Sequence, residues 1–251
     1  MKMWETPRTQ PESGRPDLAN RPRVVVHFAI TADGKVSTAG KTPAQFTSAC
    51  DKKRLLQVRS ENDAIMVARG TLQKDRMSLG LPDESLRQER LRRGASEEPL
   101  RVIVSGSGEI GLDLPVFQNQ GAPIVLYTTS RMPAENRRQL EAKAAIYNAG
   151  EEEVDLRYAL GHLFSNYQVR SVVCEGGPGL VRSLARDDLV DKIILTITGK
   201  LFGGRLAPSM TGLPGEFLPA SRQFQLVNTE IGDNEFYLTY VHEACTKRTR
   251  S

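Results

Sequence analysis

Four short segments of this chain combine residue types that could do chemistry. Glu175-Gly176-Gly177-Pro178-Gly179-Leu180 joins an apolar run, Ser171-Val172-Val173-Cys174, to a segment with helical character. Paired glycines let a ligand or another backbone approach closely. Pro178 suits a first helical turn, and the free amides at a helix start bind phosphate. Glu175 stands at a strand's carboxyl end, where open α/β sheets place ligands. The same residues would also serve as an ordinary tight turn. Ala68-Arg69-Gly70-Thr71, with Asp75 following, repeats the theme: Thr71 is a candidate cap of a short helix, and capping alone would also account for it. Thr31-Ala32-Asp33-Gly34 makes a turn after another apolar run, and Asp-Gly by itself says no more than that.

The fourth segment spells GxGxxG, from Gly106-Ser107-Gly108 to Gly111, just after a strand-like run ending at Val104. A dinucleotide fingerprint needs a helix to begin there. Asp113, Leu114 and Pro115 follow at once and no helical period appears, so no such fingerprint is expected. The hydroxyls and amides of Ser105, Gly106, Ser107 and Gly108 can still meet a phosphate. No Ser/His/Asp arrangement stands out. His27, His162 and His242 have no partner in metal-ligand spacing, and His162 belongs on a helix flank. Cys50, Cys174 and Cys245 are odd in number and far apart, as reduced thiols in a cytoplasm would be.

The elements that must hold these segments follow from hydrophobic patterning. Continuous apolar runs at 23–30, 63–68, 100–104, 123–128, 144–148, 171–174 and 192–198 suit strands covered on both faces. Helical segments are expected at 49–59, capped by Thr47 or Ser48, at 131–143, 155–164 and 178–186. The Arg-rich stretch 83–98 is helical or mobile. Segments 223–231 and 235–242, joined by Gly232-Asp233-Asn234, read as a closing hairpin. Alternating strands and helices predict a three-layer α/β/α fold around a mostly parallel, mixed sheet of about nine strands.

Residues 1–21 read as a disordered or loosely attached lead, 22–245 as one domain, and 246–251 as a basic tail. The net charge of +4 resides in that lead and tail, which leaves residues 22–245 neutral. A nucleic-acid binder concentrates basic charge on its folded body, so none is expected here. No run of apolar residues is long enough to span a membrane, and the N-terminus has no secretory apolar core.

Taken together and in this order, the segments resemble the reductase domain of riboflavin biosynthesis, found as the C-terminal half of a bacterial bifunctional deaminase–reductase and as stand-alone relatives. The likeness covers roughly 22–243 and rests on Thr31-Ala32-Asp33-Gly34, on Thr47 to Arg59, and on Asp63-Ala64-Ile65 with Thr71 and Asp75. Glu175-Gly176-Gly177, Leu189-Val190-Asp191, Phe202-Gly203-Gly204 and Ala207-Pro208 complete the series. The resemblance implies a dihydrofolate-reductase-like fold, a homodimer, and NADPH as hydride donor. It implies cofactor contacts at Thr71, Asp75, Ser105 to Gly108, Val154 and Gly177-Pro178-Gly179-Leu180. Substrate contacts are implied at Thr31, Arg59, Leu79 and Glu175, and Asp33 and Glu175 are the candidates for orienting substrate and handling protons. The implied reaction opens the ribose of a ribosylamino-pyrimidine 5′-phosphate and reduces its C1′ to a ribityl chain. No covalent nucleophile is needed.

The chain departs from the family where His27 replaces a frequent Lys and where Asp75-Arg76-Met77-Ser78-Leu79 lacks a Pro. Pro43 and Pro82 stand where the bacterial enzyme has substrate-touching Ser and Arg. There is no HxE and no PCxxC, the marks of a zinc deaminase. The alternatives to the implied reaction are reduction of another heterocycle, such as a pterin or dihydrofolate, and a non-catalytic NADPH-binding module.

Overall fold

The apolar runs form one sheet in the computed structural model, which describes residues 19–38, 40, 46–118, 121–212 and 218–246. The chain enters on β1 (Arg23–Thr31) and crosses through α1 (Ala49–Glu61) to β2 (Ala64–Ala68). Next come α2 (Arg69–Lys74), α3 (Glu84–Arg92) and β3 (Leu100–Val104), then α4 (Pro115–Gln118) and β4 (Ile124–Thr128). Helix α5 (Ala134–Glu141) leads to β5 (Ala145–Asn148), and α6 (Leu156–Asn166) leads to β6 (Ser171–Cys174). Helix α7 (Pro178–Arg186) and β7 (Lys192–Thr198) precede the hairpin β8 (Phe224–Gly232) and β9 (Glu235–His242), and α8 (Glu243–Thr246) follows.

The sheet order is β5-β4-β3-β2-β6-β1-β7-β9-β8. Strands β1 to β7 run parallel, β9 pairs antiparallel with β7, and β8 with β9. Strand alternation sends Val24 and Val26 to one face and Val25 to the other. The first face packs on Leu160, Leu163, Val181 and Leu184 of α6 and α7. The second packs on Val58, Leu72, Phe117 and Leu140 of α1, α2, α4 and α5. Helices on both sides explain why the inner strands read as unbroken apolar runs.

Local chemistry sets the helix limits. Ser48, not Thr47, caps α1 and accepts from the Asp51 amide at 3.1 Å. The N-cap of α2 is Ala68, and Thr71 lies inside that helix rather than capping it, because the helix begins directly from β2. Asp83 caps α3, which ends before Gly94 at φ +76° instead of running to residue 98. Pro133 is the N-cap of α5, so that helix is shorter than 131–143. Arg21, read as the last residue of the lead, is buried, and its guanidinium reaches both Asp191 oxygens at 2.7 and 2.9 Å. The folded body therefore starts no later than Arg21.

One register feature makes a cavity. Strand β6 pairs with β1 over Arg23–Val26 and stops at Cys174, while β1 continues along β7 through Thr31. After Cys174 the chain stays with β2: the Glu175 amide donates to Met66 O at 3.0 Å, and the Ala68 amide to Gly176 O at 2.7 Å. The sheet is thus forked between β1 and the segment after β6.

Candidate functional site

The fork holds a cleft of about 630 Å³. His27 to Ala29 form one wall, α1 contributes Asp51 and Leu55, and the segment from Glu175 to Leu180 forms the other wall with α2. Most of this lining is apolar, with a few polar groups converging, as small-molecule sites are built.

At the α7 start, Gly177 is the N-cap, has no side-chain cap hydrogen bond, and is followed by Pro178. The helix therefore presents unsatisfied amides and the positive end of its dipole at the cleft rim. The glycines are required by space. Gly176 has φ +99°, and a Cβ there would come 2.8 Å from the Phe28 ring. A Cβ on Gly177 would lie 2.5 Å from the Thr71 hydroxyl, whereas one on Gly179 would meet nothing within 4 Å. The Gly176–Gly177 peptide is cis. A narrow backbone cradle opening on free space at Gly179 fits an anionic diphosphate.

Thr71 and Asp75 lie on the same cleft, as does Lys74. Burial raises the Asp75 carboxyl above its ordinary range, and the Lys74 charge offsets part of this. Asp75 is therefore a cleft group able to hold a proton nearer neutrality than a solvated carboxylate.

Glu175 is buried against Arg59: Nε donates to Oε1 at 2.6 Å and Nη2 to Oε2 at 2.7 Å. Arg59 Nη1 also donates to Gly80 O at 2.8 Å. Burial opposes the Arg59 charge, but the Glu175 carboxylate outweighs it, so the guanidinium is held above its usual value. Both Glu175 oxygens are taken up by this fork, which suits an electrostatic wall better than a proton shuttle. His27, one residue past the last β1–β6 pair, is 7% exposed, and its Nε2 has no hydrogen-bond partner among the described residues. Burial lowers its affinity for a proton, partly offset by Asp51 and Glu175 and reinforced by Arg59 and Arg54.

Several sequence candidates lie elsewhere. Asp33 is exposed in the turn after β1 and is not among the cleft-lining residues. Its carboxylate accepts from the Thr31 hydroxyl, from the Gly203 amide at 2.7 Å and from the Phe202 amide at 3.3 Å. These bonds, the Thr31 one foremost, hold it below the ordinary carboxylate range. Asp33 thus ties two turns together, and Thr31 is fully buried in that arrangement. Leu79 is sealed in the core with Val58 and Ile65. Ser105 accepts from the Gly108 amide at 3.0 Å, and Gly106 O accepts from Thr129 Oγ1 at 2.7 Å, so this loop is braced beyond β3 with no Rossmann helix after it. Gly108 has φ +63°, and a Cβ there would strike Met132 at 2.7 Å. Val154 packs on the main core and Pro43 lies outside the described residues. Sequence reasoning missed Asp51, which looked like one charge among several on a solvated helix; only the register that lays α1 over β7 reveals it.

Residues 22–237 match the RibD C-terminal domain. The chain belongs to that family. The 2,5-diamino-6-ribosylamino-4(3H)-pyrimidinone 5′-phosphate reductase of Archaeoglobus fulgidus is 32% identical over 191 residues, covering 76% of this chain and 86% of that protein. The protein of the same name from Methanothermobacter thermautotrophicus is 30% identical over 190 residues, covering 76% and 83%. Among solved structures, a pyrimidine reductase-like protein from Corynebacterium diphtheriae superposes with a TM-score of 0.76 at 17% identity, over 92% of this chain and 95% of that one. RibD of Acinetobacter baumannii gives 0.71 at 20% identity, and this chain covers 58% of its length. These likenesses establish the dihydrofolate-reductase-like fold of RibD reductases. Membership of this reductase family makes the protein an oxidoreductase that uses a nicotinamide cofactor.

Proposed function

We propose that the protein is an NADPH-dependent reductase of a ribosylamino-pyrimidine 5′-phosphate. The observation that carries the reading is the uncapped, glycine-built start of α7 bordering the same cleft as Thr71 and Asp75. When bound, NADPH supplies the hydride. The amides around Gly177 to Leu180 would hold its diphosphate, with Thr71 and Asp75 beside them. Ser105 to Gly108 would meet the adenosine-side phosphate, with Val154 nearby.

The chain's own residues then do what such a reduction needs. The fork of the sheet fixes two ligands against each other, and Phe28, Leu55 and Leu180 exclude water from between them. The Arg59–Glu175 pair braces α1 against the β6 exit. Ring opening consumes a proton and the reduced carbon takes a hydride, so the products are the ribityl amine and NADP⁺. The same reading makes the protein a cytoplasmic homodimer. The exposed apolar side chains Leu226, Val227, Ile231 and Phe236 on the β8–β9 hairpin support the dimer.

Purified protein mixed with NADPH and the 2,5-diamino-pyrimidinone phosphate should consume NADPH absorbance and yield the ribityl product. Turnover of dihydrofolate instead would replace this substrate with a pterin, and cofactor binding without turnover of either would leave a binding module.

A further inference from the structure

The described part of the protein buries four carboxylates beside the strands, and one is provided for unlike the rest. Glu175 is held on both oxygens by Arg59. Asp191 receives Arg21 twice and the Val24 amide. Glu235 receives the Ser48 amide at 2.8 Å, the Ser48 hydroxyl at 2.6 Å and the Tyr237 hydroxyl at 2.8 Å. Asp51 is equally buried, at 5% exposure, yet among the described residues the one side-chain hydrogen bond it accepts is from Thr196 Oγ1 to Oδ1 at 2.5 Å. Among the described residues it makes no ion pair. The start of α1 favours its charge, and among the described residues Oδ2 has no donor and stays open to the cleft. A side chain held this firmly on one oxygen, with the other turned to a cleft, is set to accept from a ligand bound there.

Asp51 also lines the cleft, and beside it stands His27 with its unpartnered Nε2. Its position is fixed from three sides. Ser48 caps α1 one turn earlier, Glu235 clamps that cap to β9, and Thr196 of β7 holds Oδ1. The site is therefore a rigid acceptor pair on the wall opposite the start of α7.

We propose that Asp51 reads the pyrimidine ring, its carboxylate accepting the 2-amino and N3–H donors of a 2,5-diaminopyrimidinone and thereby selecting that ring over its 2-oxo uracil counterpart. This deepens the reductase reading and rests on it. The diamino ring presents two adjacent N–H donors along one edge, the match for a carboxylate fork. Deamination at position 2 turns one donor into an acceptor, which would face a carboxylate oxygen. A site built on hydrogen bonds rejects such an analogue strongly, because the buried group is left unpaired. Asp51 thus places the reduction before removal of the 2-amino group, with a separate deamination consuming the product.

The test compares both ribosylamino-pyrimidine phosphates on the full chain, by calorimetric binding and by kcat/KM with NADPH, for wild type and Asp51→Asn. Each hydrogen bond to an ionised group contributes about 10–100-fold, so wild type should favour the diamino ring by about 100-fold or more. The Asn amide offers one acceptor and one donor, which matches N3–H beside a 2-oxo group. D51N should therefore lose most affinity for the diamino ring and gain it for the uracil, with NADPH affinity by fluorescence unchanged. A helix-anchoring role alone would lower both rings equally and would refute the assignment. If D51N fails to bind NADPH, the wild-type ratio alone decides. Wild type that binds and reduces both rings alike overturns the role of Asp51 and leaves the reductase reading standing. A protein that binds neither ring overturns both.

Discussion

Gly179→Asp separates cofactor docking from folding. Gly179 is the second residue of α7, and a Cβ built there meets nothing within 4 Å, so a carboxylate can be added without a clash. In the free protein the change should be neutral or slightly stabilising. An acidic group in a first turn gains about 0.3–1 kcal/mol from the helix dipole, and replacing a helical glycine adds a few tenths of a kcal/mol. With a diphosphate at the helix start the sign reverses. Two unit charges about 4 Å apart repel by about 1 kcal/mol in bulk water and about 4 kcal/mol near a protein surface. The diphosphate brings two charges, so a mid-range value of about 3–4 kcal/mol is expected, a weakening of about 10²–10³-fold in Kd. Fluorescence titration with NADPH reads the loss and calorimetric Tm the stability. Gly179→Ala, uncharged, should retain most of the affinity. Raising the salt should narrow the gap between G179A and G179D, because the repulsion is screened. A G179D protein with an undiminished Tm and wild-type NADPH affinity would refute the docking of the diphosphate at α7, and the cofactor assignment of Gly177 to Leu180 with it.

Two further outcomes follow from the polar groups of the fork. Arg59→Met leaves Glu175 buried without its cation and should cost about 3–5 kcal/mol in urea unfolding, most of it recovered in the Arg59→Met/Glu175→Leu double variant; additive losses would mean that the pair is not coupled. His27 is held below the ordinary histidine value of 6.5 by burial. Between its folded and unfolded values the unfolded chain binds more protons, so its contribution is intact above about pH 6.5 and is lost as pH falls below it, at no more than about 1.4 kcal/mol per pH unit. Unfolding free energies of wild type and His27→Gln measured from pH 8 to 5 should therefore diverge on the acid side, with H27Q the flatter; parallel curves would show that His27 is not shielded.

The fold was legible because nine strands covered by helices, or closed by a Gly-Asp-Asn turn, leave period and punctuation in the sequence. The α7 start was legible for the same reason: Glu-Gly-Gly-Pro after the three apolar residues Val172, Val173 and Cys174 permits few conformations. The rest depended on contacts between elements distant in sequence. Asp33 read locally as no more than a turn residue and became a candidate only through the family resemblance; in the structure its carboxylate accepts from the amides of Phe202 and Gly203. Leu79 and Arg59 were likewise candidates through the resemblance, and the structure seals the first in the core and pairs the second with Glu175. Asp51 has no local signature, since its environment comes from Thr196 and His27, which lie on two other strands.

The fork itself has a topological cause that ties these residues together. Beyond β1 the chain returns through α1, which packs on the second face of the sheet, whereas beyond β6 it leaves through α7 on the first face. Neighbouring strands whose exits turn to opposite faces cannot close over their carboxyl ends, and open α/β sheets bind ligands in such crevices. The walls therefore inherit different chemistry from the two helices. The α7 side brings a helix start, which attracts anions. The α1 side brings a side chain from its first turn, Asp51, and an acceptor there favours a donor-rich edge. An anionic dinucleotide and an amino-substituted ring would thus be sorted to opposite walls by electrostatics alone, meeting where His27 and Glu175 mark the end of the strand pairing.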